Sequence, residues 1–359
     1  MKEAIYLKDG RRGAYVVRSD GGSWNNQQLL KDCGIIPYML HKNHGFRAVM
    51  PIYADKMPDF PYLETYVKGL EFELLPDDTL ETRIKYICEH SEDIDLLILY
   101  GAYNQYIPMV HYYKEYRPDG KVYLATDMNM PWAEAISYTY DLPEWRDFLS
   151  QCDVIAASCR KTQRYLNMKW PFSVELIRNG WYNAANVSFD DLFAQKENII
   201  LTVARIGVPQ KNHELLLETF AACSYDIPNW RLKLIGEFSG SEEEQLNFKK
   251  FLNDFFTRFS HLKDRIEFTG LIEDKLALAE EFKKAKIFIL TSNFEGGAPN
   301  VIGEALHSGC YIIVSDIDAA DDCTDEGRCG STFPIGDKLA LTNTLKHVCN
   351  NNDLILGGG

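Results

Sequence analysis

Short apolar runs alternate with helix-period stretches along almost the whole chain, and after residue 198 the alternation starts again. Strands separated by helices return to the same end of a sheet and pair parallel, so this rhythm predicts an α/β fold built twice. In the first half the pattern predicts strands at 14–17, 47–52, 72–75, 95–100, 121–125, 154–157 and 174–177, with helices between several of them, such as 80–90 and 107–115. In the second half it predicts strands at 199–203, 231–235, 265–268, 286–290 and 311–314, with helices near 212–223, 242–259, 275–284 and 301–307. The 183–198 stretch is polar and aperiodic. A chain of 359 residues exceeds what one hydrophobic core supports. The expected organisation is therefore two Rossmann-like doubly wound domains facing a cleft, at 1–185 and 199–359, with a linker at 186–198.

The formal charge of -14 opposes nucleic-acid binding, which needs a basic surface to meet backbone phosphates. No apolar run is long enough to span a bilayer, and the opening MKEAIYLKDGRRGAY lacks a signal-peptide core. The nine cysteines stand singly, with no CxxC pair, and read as reduced thiols of a cytoplasmic protein. On the 242–259 helix Phe248, Phe251, Leu252, Phe255, Phe256 and Phe259 recur at helical spacing, which predicts an aromatic core face.

Two stretches carry chemistry. In 292–309, an apolar strand leads into Glu295, then Gly296 and Gly297, where backbone can approach a ligand closely. Pro299 suits the first turn of a helix running through Asn300, Val301 and Glu304, and Gly309 suits its end. Free N–H groups at that helix start favour an anion, with phosphate the usual one, and Glu304, one turn in, can accept sugar hydroxyls. Alone, this stretch reads equally as a glycine-rich loop with a solvated Glu295 and a helix-stabilising Glu304. The second stretch, 201–220, decides between them: a strand, a loop holding Arg205 and Lys211, and a helix. Two cations flanking a strand-to-helix loop can neutralise a diphosphate.

Together these stretches resemble the donor-binding half of the retaining glycosyltransferase family 4, which has the GT-B architecture. Further similarity lies in 231–236 and 265–270 as strand-to-glycine units, Ile177-Arg-Asn-Gly180 as an Asn-Gly turn, and the glycine-rich 19–23 loop containing Gly22. The resemblance is specific over 199–316 and thinner before. It implies a nucleotide-sugar donor, with UDP favoured, and a glycan, lipid-linked or protein-linked acceptor in bacterial surface glycan synthesis. Arg205 and Lys211 would hold the diphosphate, Glu304 the ribose, Glu295 would lie beside the donor sugar, and the loop around Ile272 would meet the base. Gly22, Gly296, Gly297, Pro299, Asn300 and Val301 complete the implied donor site.

Such a site stabilises the departing diphosphate with side-chain cations and helix N–H groups, so no metal and no cofactor is expected. Asp127, with Glu295, is the candidate catalytic carboxylate; a double displacement through Glu295 is the alternative mechanism. Tyr103 and Asn104, after a strand's carboxyl edge, are acceptor-side candidates, against a packed helix flank as the plain reading. Asp316 and Asp318 imitate a metal-binding pair but read as turn or cap residues.

Three departures from the family pattern stand out. Glu295 and Glu304 are nine apart where the family has eight, Thr126 stands where the family often has His, and the sequence stops near where the family's C-terminal helix begins. The last predicts a chain shortened at its C-terminus. The first two motivate an alternative, a catalytically silent GT-B protein that binds glycan or chaperones a partner transferase. A peripheral contact with the inner face of the membrane is a further expectation.

Overall fold

The computed structural model describes residues 13–17, 26–54, 59–182 and 195–357. The Gly22 loop and residues 186–194 of the linker stretch lie outside them. The chain divides into two units, Met1–Tyr182 and Asn183–Gly359.

The first unit holds β1 (Gly13–Val17), β2 (Arg47–Tyr53), β3 (Leu70–Leu75), β4 (Leu96–Tyr100), β5 (Lys121–Ala125), β6 (Val154–Ala157) and β7 (Val174–Leu176). They form one sheet in the order β3-β2-β1-β4-β5-β6-β7, parallel throughout. Tyr15 pairs with Val49 on one side and Leu97 on the other. Successive side chains of a strand point to opposite faces, and both faces here are apolar. Leu97, Leu99, Val122 and Leu124 join a core with Tyr106, Tyr113, Trp145 and Phe148 from the helices Tyr106–Tyr116 and Pro143–Gln151. The alternate residues Ile98, Tyr123 and Ala125 join a second core on the other face, with Leu29 and Met50.

The second unit repeats the plan with β8 (Glu197–Val203), β9 (Arg231–Ile235), β10 (Ile266–Gly270), β11 (Ala285–Leu290), β12 (Tyr311–Ser315) and β13 (Gly330–Phe333). Its order is β10-β9-β8-β11-β12-β13, again all parallel. Strand β8 opens at Glu197, so the last two residues of the linker stretch are strand. Strand β13 was not predicted: GSTF is short, half polar and follows no apolar run, and pairing with β12 makes it a strand. The helix Glu242–Arg258 starts on a capping box between Ser241 and Glu244. It buries Phe248 and Phe255 in the unit's core with Phe251, Leu252, Phe256 and Phe259 partly covered, which is the aromatic core face expected of it.

Each sheet reverses its strand order once, between β1 and β4 in the first unit and between β8 and β11 in the second. In open α/β sheets ligands bind outside the carboxyl ends of the strands at that point. Among the described residues, no helix is long and apolar enough to cross a membrane.

Candidate functional site

In the second unit the loops leaving β8 and β11 emerge side by side at the reversal point, and hydrogen bonds tie them together. The Asn293 N–H donates to the Gln210 carbonyl at 2.8 Å, Asn293 Nδ2 to the Pro209 carbonyl at 2.9 Å, and Thr291 Oγ1 to the Lys211 carbonyl at 2.9 Å. Gly236, at the end of neighbouring β9, has φ 146°, and a Cβ there would stand 1.8 Å from the Ala204 carbonyl oxygen, so only glycine lets the β8 loop pass. Asn212, at φ 50°, turns the chain into the helix His213–Cys223 and caps it. His213 is buried against Phe248, and burial pushes its imidazole down to about 3, with Lys211 adding to the effect.

This frame brings Arg205, Lys211 and Glu295 into one chain of polar contacts. Lys211 Nζ forms an ion pair with Glu295 Oε1, and the two side chains are 13% and 11% exposed. Ser292 Oγ donates to Glu295 Oε1 at 2.6 Å. Gln210 Nε2 donates to Glu295 Oε2 at 3.3 Å, and its Oε1 accepts from Arg205 Nη2 at 2.9 Å. Arg205 itself is exposed. Ser292 and Gln210, which orient the carboxylate, went unnoticed in the sequence because their role depends on a partner three residues away in one case and 85 in the other.

Gly296 and Gly297 follow in a loop that ends at the helix Asn300–His307. Pro299 is the N-cap of this helix, not a member of its first turn: its φ is fixed near the helical value but its ψ of 138° is extended. It makes no side-chain cap, and the first turn carries no acidic residue to meet the positive end of the helix dipole. Gly309, at φ 68°, takes the left-handed position just past the end, as expected. Val301 lies in the first turn, and Glu304 projects from the second to meet Lys275, Nζ to Oε1 at 3.6 Å. Burial pushes the Glu304 carboxyl above the usual carboxylate range, and the Lys275 charge pulls it back down. Lys275 was not among the residues picked out from the sequence; a lone Lys at a helix start gives no signal until its partner is known. Ile272 is half-buried on the loop after β10, at the sheet's edge, two strands from β8.

The remaining candidates belong to the first unit. Asp127 is exposed just past β5, with φ 36°, a left-handed conformation that Asp tolerates better than most residues. It borders a cavity of about 20 Å³ that is also lined by Asp32, Tyr100, Ser158 and Arg178. Tyr100 Oη and Ser158 Oγ are buried without a hydrogen-bond partner; a cavity of this size has room for one water or one ligand hydroxyl. Tyr103 and Asn104 are placed differently. Tyr103 packs on Tyr106 and Trp132, with ring centroids 5.9 and 5.4 Å away, and Asn104 Oδ1 accepts from the Trp145 indole at 3.1 Å. These contacts match the packed helix flank.

Thr126 is fully buried and donates through Oγ1 to the Ala156 carbonyl at 2.9 Å, so its side chain faces β6. Placing the family's residue there, Thr126→His, is expected to destabilise the first unit by about 1–3 kcal/mol through overpacking. Urea unfolding tests this, and a variant as stable as the wild type would show that the position opens outward after all.

Two doubly wound parallel sheets in tandem give the chain the fold of the GT-B class. Residues 197–351, less than half of the chain, match the family model described as Glycosyl transferases group 1. The chain is 24% identical over 155 residues to a phosphatidyl-myo-inositol mannosyltransferase of Mycobacterium leprae, covering 43% of this chain and 38% of that protein. It is 28% identical over 130 residues to the amylovoran biosynthesis glycosyltransferase AmsD of Erwinia amylovora, covering 36% and 32%. These matches thus span about a third of the relatives' own lengths. The structure of Anabaena HepE in complex with UDP superimposes with a TM-score of 0.69 at 16% identity, covering 96% of this chain and 93% of that one, a likeness of fold.

Proposed function

We propose that the protein is a retaining glycosyltransferase that moves a hexose-type sugar from a nucleoside-diphosphate donor, a UDP-sugar foremost, to a hydroxyl of a glycan or lipid-linked acceptor. The observation that carries this reading is the Lys211–Glu295 pair, linked through Gln210 to Arg205, at the reversal point of the second sheet. A lysine that is mostly covered and answered by a carboxylate is a charge held in place for an anion. The donor diphosphate takes over Lys211 and Arg205, aided by the N–H groups at the start of the helix Asn300–His307. Glu295, relieved of its partner, then lies beside the sugar, with Gly296 and Gly297 allowing close approach. Glu304 accepts the ribose hydroxyls and Ile272 covers the base. HepE, whose structure contains UDP, lends the uracil assignment its support.

The chemistry follows from the leaving group. As the bond from the anomeric carbon to phosphate oxygen breaks, negative charge grows on the diphosphate, where Arg205, Lys211 and the helix dipole stabilise it. The acceptor hydroxyl attacks from the same face, its proton passing to the departing phosphate oxygen as the new glycosidic bond forms. This route retains configuration and needs no protein base. On the first unit, Asp127 and the small polar cavity beside it supply hydrogen-bonding groups for an acceptor hydroxyl.

Melting the protein with UDP, GDP, dTDP, ADP and CMP tests the donor half. A ligand at about a hundred times its dissociation constant adds roughly 2.7 kcal/mol of stability. One diphosphate is expected to raise Tm clearly. If none does, the transferase reading falls, and a glycan-binding or partner-chaperoning role takes its place.

A further inference from the structure

We propose that Lys275 is a positioning residue for nucleotide recognition, its ammonium holding the Glu304 carboxylate in place to receive the ribose hydroxyls. The inference rests on the reading of Glu304 given above and adds a residue that the reading does not contain. Lys275 is the first residue of the helix Lys275–Lys284, the crossover that carries the chain from β10 at the sheet's edge back to β11. That helix lies against β8, β11 and the helix Asn300–His307, which is how two residues from separate crossovers meet. Asp274 fixes the helix start, its Oδ1 accepting from the Leu276 N–H at 2.8 Å, so the Lys275 backbone is anchored.

The pair is built unlike a stabilising salt bridge. Its side chains are 12% and 15% exposed, yet Nζ and Oε1 stand 3.6 Å apart, beyond hydrogen-bond length. A mostly buried ion pair at this separation contributes little net stability, and a carboxylate, with about four lone-pair sites, has acceptors to spare for two vicinal hydroxyls. Lys275 is the charged group whose field acts on Glu304 across the helix packing, and it opposes the effect of burial on that carboxyl. Only Glu273 and Asp274 separate Lys275 from Ile272, so one short segment carries both the base-covering loop and the group that sets the ribose acceptor. A shift of that loop on meeting the wrong base would move the Lys275 anchor with it.

The test compares UDP with 2′,3′-dideoxy-UDP, and GDP with its dideoxy form, on the wild type, Lys275→Met and Lys275→Arg by calorimetry. The wild type is expected to prefer the ribonucleotide about tenfold or more, as loss of hydrogen bonds to a charged group implies. Lys275→Met is expected to lose most of that preference while binding the dideoxy form as before, and Lys275→Arg to keep most of it. In Lys275→Met, ribonucleotide affinity is also expected to fall away at a higher pH than in the wild type, because the carboxyl loses the charge that opposes its protonation. Equal weakening of both ligands in Lys275→Met, with a lowered Tm, makes the pair structural and overturns the proposal, as does no change in either. A wild type that binds UDP and its dideoxy form alike removes Glu304 from the ribose and ends the proposal while leaving the donor reading standing. A wild type that binds neither diphosphate ends both.

Discussion

Lys211→Ala is expected to lower kcat/KM at least 100-fold and to abolish the melting shift given by UDP. On the proposed reading the lysine meets the growing charge on the diphosphate, and removing one such donor from a preorganised site typically reduces turnover by roughly 10²–10³. The same change strands Glu295, whose side chain is 11% exposed and whose remaining partners are Ser292 and Gln210. Lys211→Ala should therefore also melt earlier than the wild type. Pairing it with Glu295→Gln separates the two effects: the double variant is expected to recover stability but not UDP binding. If the double variant regains UDP binding, Lys211 serves only to neutralise Glu295 and the diphosphate is held elsewhere.

Arg117→Met is expected to destabilise the first unit by about 3–5 kcal/mol, the usual effect of breaking a buried ion pair from one side. Arg117 is 7% exposed at the end of the helix Tyr106–Tyr116. Its guanidinium pairs with Asp95 and donates to the carbonyls of Ser91 and Glu92, and Asp95 Oδ2 in turn accepts from the Gly13 N–H at 2.8 Å. One cation thus ties a helix end, the turn before β4 and the start of β1 together. Methionine fills the space but leaves Asp95 charged without its partner. Tryptophan fluorescence during urea unfolding reads this directly, since Trp24, Trp132, Trp145, Trp170 and Trp181 precede the division between units and only Trp230 follows it. Loss of stability below about 1 kcal/mol would mean that water reaches Asp95 and replaces the arginine. Adding Asp95→Asn is expected to restore part of the loss.

Much of the fold was legible from local pattern. Each predicted strand was found, with ends moved by two residues or fewer, because burial on both faces leaves an apolar run that needs no partner to be recognised. Strand β13 escaped because its residues, Gly330 to Phe333, have no such run and take their conformation from β12. In the site, residue type and order drew attention to Arg205, Lys211, Glu295 and Glu304 before any contact was known. Which of them touch was beyond reach: Lys211 and Glu295 are 84 residues apart. For Tyr103 and Asn104 the sequence offered an acceptor side or a packed helix flank, and their contacts with Tyr106, Trp132 and Trp145 come from residues whose proximity no local pattern announces.

By itself, then, the sequence determined the two α/β units, nearly all of their strands, and the loops that carry cations and carboxylates. Periodicity and glycine placement report local burial and backbone conformation, and both are properties of neighbouring residues. Only the tertiary structure decided that β8 lies beside β11, that Lys211 answers Glu295 and Lys275 answers Glu304, and that Thr126 turns inward to β6. Those facts depend on the order in which crossover helices lay strands side by side, which brings together groups whose separation along the chain holds no trace of their contact.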